Sequence, residues 1–422
     1  MTLVGTQSAV ESARSPICRL CESSMSAQRI LLISGTAPGE PGVGGVILRD
    51  LVQIIGISHF ECCWLNPLRD QRPVYLPELS LTHYPRRYET GWRPVRGLMG
   101  EVLSYASTSL LRRQLLNQIV RSIRSQIARY QPELILTVLE SATAVQVMSA
   151  LLPHLPCPIR TIVWDDIETF SPAGTLDRWT RSGIARDFRR VLQASEKVAV
   201  ICENMQVAYQ AQYGVDSQVL RHGMPEATST NPDESANTVW RIGFAGSITT
   251  PDCFQSLVSA LDQHHWRIAG RPITLRLLGC RLQLGSRSPQ SIEYLGWRDV
   301  AETRDLLGEC NLLYLPQSFK PELRHLSELS FPTKLSTYIA TRRPIVLQAP
   351  TYGSLTSFWR DYPLGPVIPD LTEKGILHGL ESGLLASDVQ LSSWRESSVR
   401  GHREQLSVHK FEQGVRELLV HD

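Results

Sequence analysis

The sequence predicts an α/β protein made of two Rossmann-like, doubly wound domains that face a cleft. Three observations predict it. The chain has 422 residues, more than one hydrophobic core usually organises, so two domains of roughly 200 residues each are expected. Short apolar runs alternate with stretches whose apolar residues recur at helical spacing, the pattern of parallel sheets wrapped by helices. The alternation stops at a polar stretch, "EATSTNPDESANTV" (Glu226 to Val239), and then starts afresh, which marks a linker.

Taken in order, residues 1–28 form a Ser-rich polar leader without an apolar core long enough for a signal peptide. "RILLIS" (Arg29 to Ser34) reads as a buried strand, followed by a Gly-rich turn and the helical pattern "VILRDLVQIIG". Strand, glycine turn and helix are how a doubly wound domain begins. "FECCWL", "LILTVL", "IRTIVW" and "KVAVIC" supply further strands, with "TAVQVMSALL" and "ARDFRRVLQAS" among the helices between them, and the sheet closes near "SQVLRHGMP". Beyond the linker come "WRIGFAG", "ITLRLLG", "IEYLGW", "NLLYLP" and "RPIVLQAP" as strands. Their intervening helices are "DCFQSLVSALDQH", "VAETRDLLGEC" and the one that opens in "SFPTKLSTYIA". The expected divisions are 29–225, 226–239, 240–395 and a closing segment 396–422.

Composition narrows the partners. Apolar residues at 42% and charged residues at 20% describe a globular chain of enzyme type. A formal charge of +2 gives no argument for nucleic acid. No apolar run approaches the roughly 20 residues that span a bilayer. Nine irregularly spaced cysteines read as reduced thiols rather than a disulfide framework, so a cytoplasmic setting is expected. Cys18 and Cys21 make one CxxC, but no second pair completes a metal site, and no metal is expected. Between Tyr84 and Tyr130 the chain carries Arg86, Arg87, Arg93, Arg96, Arg112, Arg113, Arg121, Arg124 and Arg129, opposed by Glu89 and Glu101. Leu111, Leu115, Ile119, Ile123 and Ile127 share one helix face there. Such a basic amphipathic stretch suits anionic lipid headgroups at the inner membrane face or an anionic acceptor, or an apolar face packed on its own domain with arginines outside.

Four motifs carry candidate chemistry. "PGVGG" (Pro41 to Gly45) places Gly42, Gly44 and Gly45 where backbone could approach a phosphate or sugar at a helix N-terminus. A tight strand–helix turn is the plain alternative. The spacings GxGxxG and GxxxxGK[ST] are both missing, which counts against nicotinamide and P-loop readings. "GFAGSITTPDCFQSL" repeats the arrangement, with Gly246 and Ser247 at the end of the second domain's first strand. In "TIVWDDIETF" Asp165 and Asp166 end a strand at the crevice side of the sheet, where they could orient an acceptor hydroxyl or stabilise positive charge at a sugar carbon, or cap a helix. In "ELSFPTKLSTYIATRRPIV", Ser330 reads as a cap, Pro332 as the first helical residue, and Thr333, Lys334 and Leu335 as the first turn. A lysine there opposes the helix dipole, which makes sense if a polyanion binds between it and the helix amides.

These residues resemble a family: the retaining, nucleotide-sugar-dependent glycosyltransferases of the GT-B fold, family 4-like. The resemblance runs from about Arg29 to Leu419 through "PGVGG", "SEKVAVICENMQVAYQAQYGVDSQVLRHGMP", "GFAGSI", "LRLLG", "IEYLGW", "LLYLP", "SFPTKLSTYIATRRPIV" and "HREQLSVHKFEQGVRELL". It implies an N-terminal acceptor domain, a C-terminal nucleotide-sugar domain, and a closing helix that packs back on the first. It further implies a nucleoside-diphosphate sugar as donor, a glycan or lipid-linked acceptor, polysaccharide biosynthesis as the setting, and no other cofactor. The donor diphosphate would lie at Phe331 to Leu335. Three positions depart from the pattern. Thr337 stands where a Glu usually binds the ribose, Glu328 is one place out of register with the usual upstream acid, and Trp164-Asp165-Asp166 replaces an acceptor-side His. The Arg and Lys that often follow the second domain's first strand are missing too, with Arg241 or Lys320 as possible substitutes beside Lys334. A GT-B sugar-nucleotide epimerase and a sugar-nucleotide-binding protein without catalysis are the alternative readings.

Overall fold

The computed structural model describes residues 28–67, 76, 78–86, 97–171, 176–225, 238–279 and 285–420. Cys18, Cys21, Arg87, Arg93, Arg96 and most of the expected linker lie outside the described residues.

The first half contains β1 (Ile30–Ser34), α1 (Val43–Ile55), β2 (Phe60–Pro67), β3 (Ser80–Arg86), α2 (Leu98–Tyr130), β4 (Leu134–Val138), α3 (Ala142–Leu151) and β5 (Ile159–Val163). It continues with α4 (Ile167–Phe170), α5 (Arg178–Ala194), β6 (Lys197–Val200), α6 (Glu203–Tyr213) and β7 (Gln218–Val219). All seven strands are parallel, in the order β3-β2-β1-β4-β5-β6-β7. β1 and β4 are wholly buried apolar strands, as helices on both faces require. Helix starts are set locally: Ser141, Asp177 and Cys202 each accept an amide of the first turn of α3, α5 and α6.

The second half repeats the design with β8 (Trp240–Gly246), α7 (Pro251–Gln263), β9 (Arg267–Ile268), β10 (Arg271–Gly279), β11 (Ile292–Gly296), α8 (Val300–Gly308) and β12 (Leu312–Pro316). Then follow α9 (Arg324–Leu329), α10 (Lys334–Ala340), β13 (Ile345–Gln348), α11 (Ser354–Asp361), β14 (Val367–Ile368), α12 (Glu373–Leu384) and α13 (Asp388–Gly401). The order β11-β10-β8-β12-β13-β14 is parallel throughout, with β9 added antiparallel to β10. In each sheet the order reverses beside the first strand, and crevices at such switch points are where doubly wound sheets bind ligands.

The chain returns to the first half at its end. A π-helical turn (His402–Leu406) leads into α14 (Val408–Leu419). Phe411, Val415, Leu418 and Leu419 share a core cluster with Ile47, Leu48 and Leu51 of α1. Arg160 on β5, 1% exposed, donates to the carbonyl of Leu418 at 2.7 Å and pairs with Glu196 at 3.0 Å. The halves are joined a second time by Arg221. It donates to the Ile201 carbonyl, pairs with Glu203, and lays its guanidinium 4.1 Å over the Phe331 ring of the second half.

The arginine-rich stretch packs its apolar face on its own domain. α2 buries Ile119, Ile123 and Ile127 in the core, with Leu115 partly buried against it, so this apolar face is already occupied. Arg112 is buried and donates to Thr180 Oγ1 at 2.7 Å, and Arg129 pairs with Glu61 at 3.1 Å. Arg113, Arg121 and Arg124 stay on the outer face. The described cysteines are free thiols, and among the described residues no helix is long and apolar enough to cross a membrane.

Candidate functional site

The second sheet's crevice is built on two glycines. β8 and β10 finish side by side at Gly246 and Gly279, with φ of 102° and 113°. A Cβ on Gly279 would lie 2.7 Å from the Gly246 carbonyl oxygen, so only glycine lets the strand ends close this tightly. Lys334, the first residue of α10, reaches this corner. Its Nζ donates to the Ser247 carbonyl at 3.3 Å and sits 4.2 Å over the Phe244 ring. One turn on, the buried Tyr338 hydroxyl accepts the Ala245 amide at 2.8 Å, which fixes α10 against the end of β8. Burial pulls the Lys334 ammonium down from 10.5 to about 8, and no carboxylate of the described residues pairs with it. Desolvation without a counter-charge favours any anion that arrives.

The start of α10 differs from the expectation. Ser330 ends α9 and turns its hydroxyl back to the Leu326 carbonyl; it does not cap α10. Pro332 precedes the helix by two residues, and its carbonyl accepts the Leu335 amide at 3.0 Å. Leu335 itself is a core side chain, 0% exposed. The Ser336 amide goes to the Thr333 carbonyl, which leaves the amides of Thr333 and Lys334 without a hydrogen-bond partner among the described residues. The Thr333 side chain faces the first half. Together with Ser336, Phe331, Trp164 and His222 it lines a seam enclosing about 10 Å³, room for about one water. The halves therefore meet closely on one side of α10, and Lys334 lies on the other.

Across the seam the glycine loop is closely packed. A Cβ on Gly45 would come 2.0 Å from the Glu40 carbonyl oxygen, and one on Gly44 would come 3.0 Å from Trp164 Cζ3. Gly42 precedes α1 with φ 124°. The loop is held by Glu140, at the end of β4, whose carboxylate accepts the Thr36 amide at 2.7 Å and its hydroxyl at 2.9 Å. These interactions shape the turn that leads into α1.

The paired aspartates separate in role. Asp166 is buried, caps α4 by accepting the Glu168 amide at 3.1 Å, and accepts the Tyr209 hydroxyl at 3.1 Å. Asp166→Ala should uncap α4 and strand a buried phenol, a loss of about 2–4 kcal/mol measurable by chemical denaturation. Asp166→Asn, which keeps an acceptor oxygen, should recover much of it. Asp165 is half-buried and makes no hydrogen bond among the described residues. Burial and the Asp166 charge raise its carboxyl above the usual range, and His325 of α9 opposes them from the second half. His325 also lies 3.8 Å from Glu168, so α4 and α9 face each other across the cleft.

Two other candidates fall away from this corner. Glu328 pairs with Arg324 on its own helix at 2.9 Å, and is not gathered with Lys334. Arg241 lies near the amino end of β8, five residues from Gly246 and so about 17 Å away along the strand; it cannot substitute for a phosphate-binding cation at the carboxyl end. Lys320 follows β12 on the crevice side, its amide bonded to Ser318 Oγ. Tyr338, Glu140 and His325 were not singled out by sequence reasoning. Tyr338 had a signal in its place one turn after Lys334. Glu140 and His325 had none, since their meaning depends on which strand ends and helices the fold brings opposite them. Among the described residues no cluster of metal-ligating side chains occurs.

Two doubly wound sheets facing each other, with a closing helix returned to the first, make the GT-B architecture. Solved structures of that architecture match nearly the whole chain. Sucrose-phosphate synthase from Thermosynechococcus elongatus superposes with a TM-score of 0.64 at 13% identity, covering 93% of this chain and 98% of the other. Anabaena HepE in complex with UDP and glucose gives 0.61 at 15% identity, covering 93% and 99%. The lipopolysaccharide outer core galactosyltransferase WaaB gives 0.63 at 10% identity, covering 92% and 98%. No family model and no curated protein matches the sequence.

Proposed function

We propose that this protein is a glycosyltransferase that moves a sugar from a nucleoside diphosphate to an acceptor hydroxyl. The observation that carries the reading is Lys334: a cation without a counter-charge among the described residues, bonded to the Ser247 carbonyl at the carboxyl ends of β8 and β10 on a helix that Tyr338 fixes to Ala245. The chemistry fits that group. When the anomeric carbon–oxygen bond breaks, negative charge gathers on the departing diphosphate, and preorganised donors aimed at that charge lower the barrier. Lys334 and the open amides of Thr333 and Lys334 supply such donors. The acceptor oxygen bonds to the anomeric carbon on the face the diphosphate leaves, and its proton passes to the departing phosphate oxygen, a route that retains configuration. Asp165 borders the acceptor side. The HepE structure, similar in fold, contains UDP and glucose, which makes UDP the first nucleotide to try. Thermal shift across nucleoside diphosphates tests the reading, since a ligand that binds the folded state raises the melting temperature by mass action. A chain that no nucleoside diphosphate stabilises is not this enzyme.

The ammonium gives a second test. An unfolded lysine titrates near 10.5 and Lys334 near 8. Between those values the unfolded chain holds a proton the folded chain lacks, so stability rises with pH across the window, and below it the buried charge costs its full amount. A bound diphosphate reverses the preference. UDP binding in that window should take up a proton, and should weaken as pH rises. Calorimetry in two buffers of different ionisation enthalpy measures the uptake; binding without it would exclude Lys334 from the contact.

A second reading, a sugar-nucleotide-binding protein without turnover, is favoured by Thr337, which brings no carboxylate to the position where the resemblance expects a ribose ligand. Nucleotide binding without sugar release in the presence of any hydroxyl acceptor would select it.

A further inference from the structure

A groove of about 570 Å³ lies beside the cleft, between α4, α5 and α6. We propose that it is a binding site for a phosphoryl group, separate from the Lys334 crevice. One wall is the outer stripe of α5. Arg178, Arg181, Arg186 and Arg189 line it, spaced so that they share one side of the helix, while Ile184, Phe188 and Val191 fill the other. Ser182 and Ala185 lie between the arginines and leave the space open. Glu168 is the lining carboxylate, and it is drawn toward His325. Arg178 pairs loosely with Glu101 at 3.6 Å, Arg189 lies 5.5 Å over the Tyr213 ring, and Arg186 makes no ion pair among the described residues, the opposing charge it feels being the Asp187 carboxylate, which bonds Ser149 instead.

The second observation is Ser171. The residue is 4% exposed and lines the groove, yet its Oγ has no hydrogen-bond partner among the described residues. The rest of the residue is fully engaged: the amide bonds the Ile167 carbonyl, and the carbonyl accepts Arg181 Nε at 3.1 Å. A buried hydroxyl left unpaired costs about 1–3 kcal/mol, and the arginines around it carry donors only. What the groove lacks is an acceptor-rich anion. A phosphoryl group, with several terminal oxygens, can meet guanidinium forks and the serine hydroxyl together.

The same chemistry comes from a soluble phosphomonoester or from a lipid headgroup. Exposed Tyr105 and Trp179, whose rings lie 5.6 Å apart beside Arg178, form an apolar rim that an acyl chain could cover. α4, four residues long and so about 6 Å, separates Ser171 from Asp165 and Asp166. A ligand held by its phosphate would therefore present its far end to the cleft. That last link rests on the proposed transfer reaction; phosphoryl binding does not.

The full chain is titrated with glycerol 3-phosphate by calorimetry, and sedimented with phosphatidylcholine vesicles with and without phosphatidic acid. UDP serves as the separate probe of the Lys334 crevice. Wild type should bind at least one phosphoryl probe, and Arg186→Gln and Ser171→Ala should each weaken that binding by about tenfold while UDP binding and melting temperature hold. Ser171→Ala should melt no lower than wild type, since it removes an unpaired hydroxyl. Binding of the soluble probe identifies a small phosphomonoester, and binding of phosphatidic acid vesicles alone identifies a lipid phosphate. The inference falls if neither probe binds wild type above the neutral control, or if both variants bind as wild type does. UDP results leave it untouched either way.

Discussion

Lys334→Ala should reduce turnover by about 10²–10³-fold, the usual loss of about 3 kcal/mol when one charge-stabilising donor is removed from a reaction centre. The folded chain should survive the change almost unaltered. Among the described residues the ammonium meets the Ser247 carbonyl and the Phe244 face, and its depressed pKa means that folding already works against its charge. Removing it gives up a cation–π contact of about 0.5–2 kcal/mol and relieves a desolvation cost of the opposite sign. If the charge acts on the leaving group, kcat falls more than KM rises, because the interaction is strongest once the bond has begun to break. Lys334→Arg keeps charge but brings a wider, planar head to a corner so close that a Cβ added to Gly246 would lie 3.8 Å from Nζ, so only partial rescue is expected. Unchanged kcat and KM in Lys334→Ala would remove this residue from the reaction and leave the crevice without its main cation.

Much of the architecture could be read from the chain because buried parallel strands are short apolar runs and their helices show a 3.6-residue period. β1, β4, β5, β8, β10, β12 and β13 announce themselves that way. β3 does not: "SLTHYPR" mixes polar residues with Pro85 and survives because it is an edge strand, paired only with β2. β9 and β14 have two residues each, too few for any pattern. The site was legible in part. Lys334 and the Gly246–Ser247 turn meet because each ends or begins an element beside the same strand terminus, and strand ends can be guessed. Ser330 does not cap α10, and Glu328 and Arg241 lie away from Lys334, because a cap, an ion pair and the amino end of a strand look the same in sequence as their opposites. Asp165 and Asp166 were adjacent letters with equal claims, and only Tyr209, 43 positions away, decides which of them is structural.

The glycine loop offers the sharpest separation between packing and binding. Gly45→Ala would place a methyl group 2.0 Å from the Glu40 carbonyl oxygen and 2.7 Å from its carbon, both backbone atoms that no rotamer change can move. The loop is pinned on its other side by the Gly39 amide on the Gly45 carbonyl at 2.8 Å and by Glu140 on Thr36. The clash must therefore be relieved by pushing α1 away from the loop, against the contacts of Ile47, Leu48 and Leu51 with the core. Overpacking of this kind costs about 1–3 kcal/mol and sometimes more, and the upper end is expected here. Gly42→Ala meets nothing within 4 Å, but its φ of 124° and ψ of 169° fall in a region essentially reserved for glycine, at a cost of about 1–3 kcal/mol. Both losses should appear in urea denaturation with no ligand present. Loss of ligand affinity beyond what the lost stability explains would show that the loop binds as well as packs. Since Gly44 carries the same loop against Trp164, next to Asp165, displacement of α1 should also disturb the acceptor side, and turnover of Gly45→Ala should fall even at temperatures where the chain remains folded.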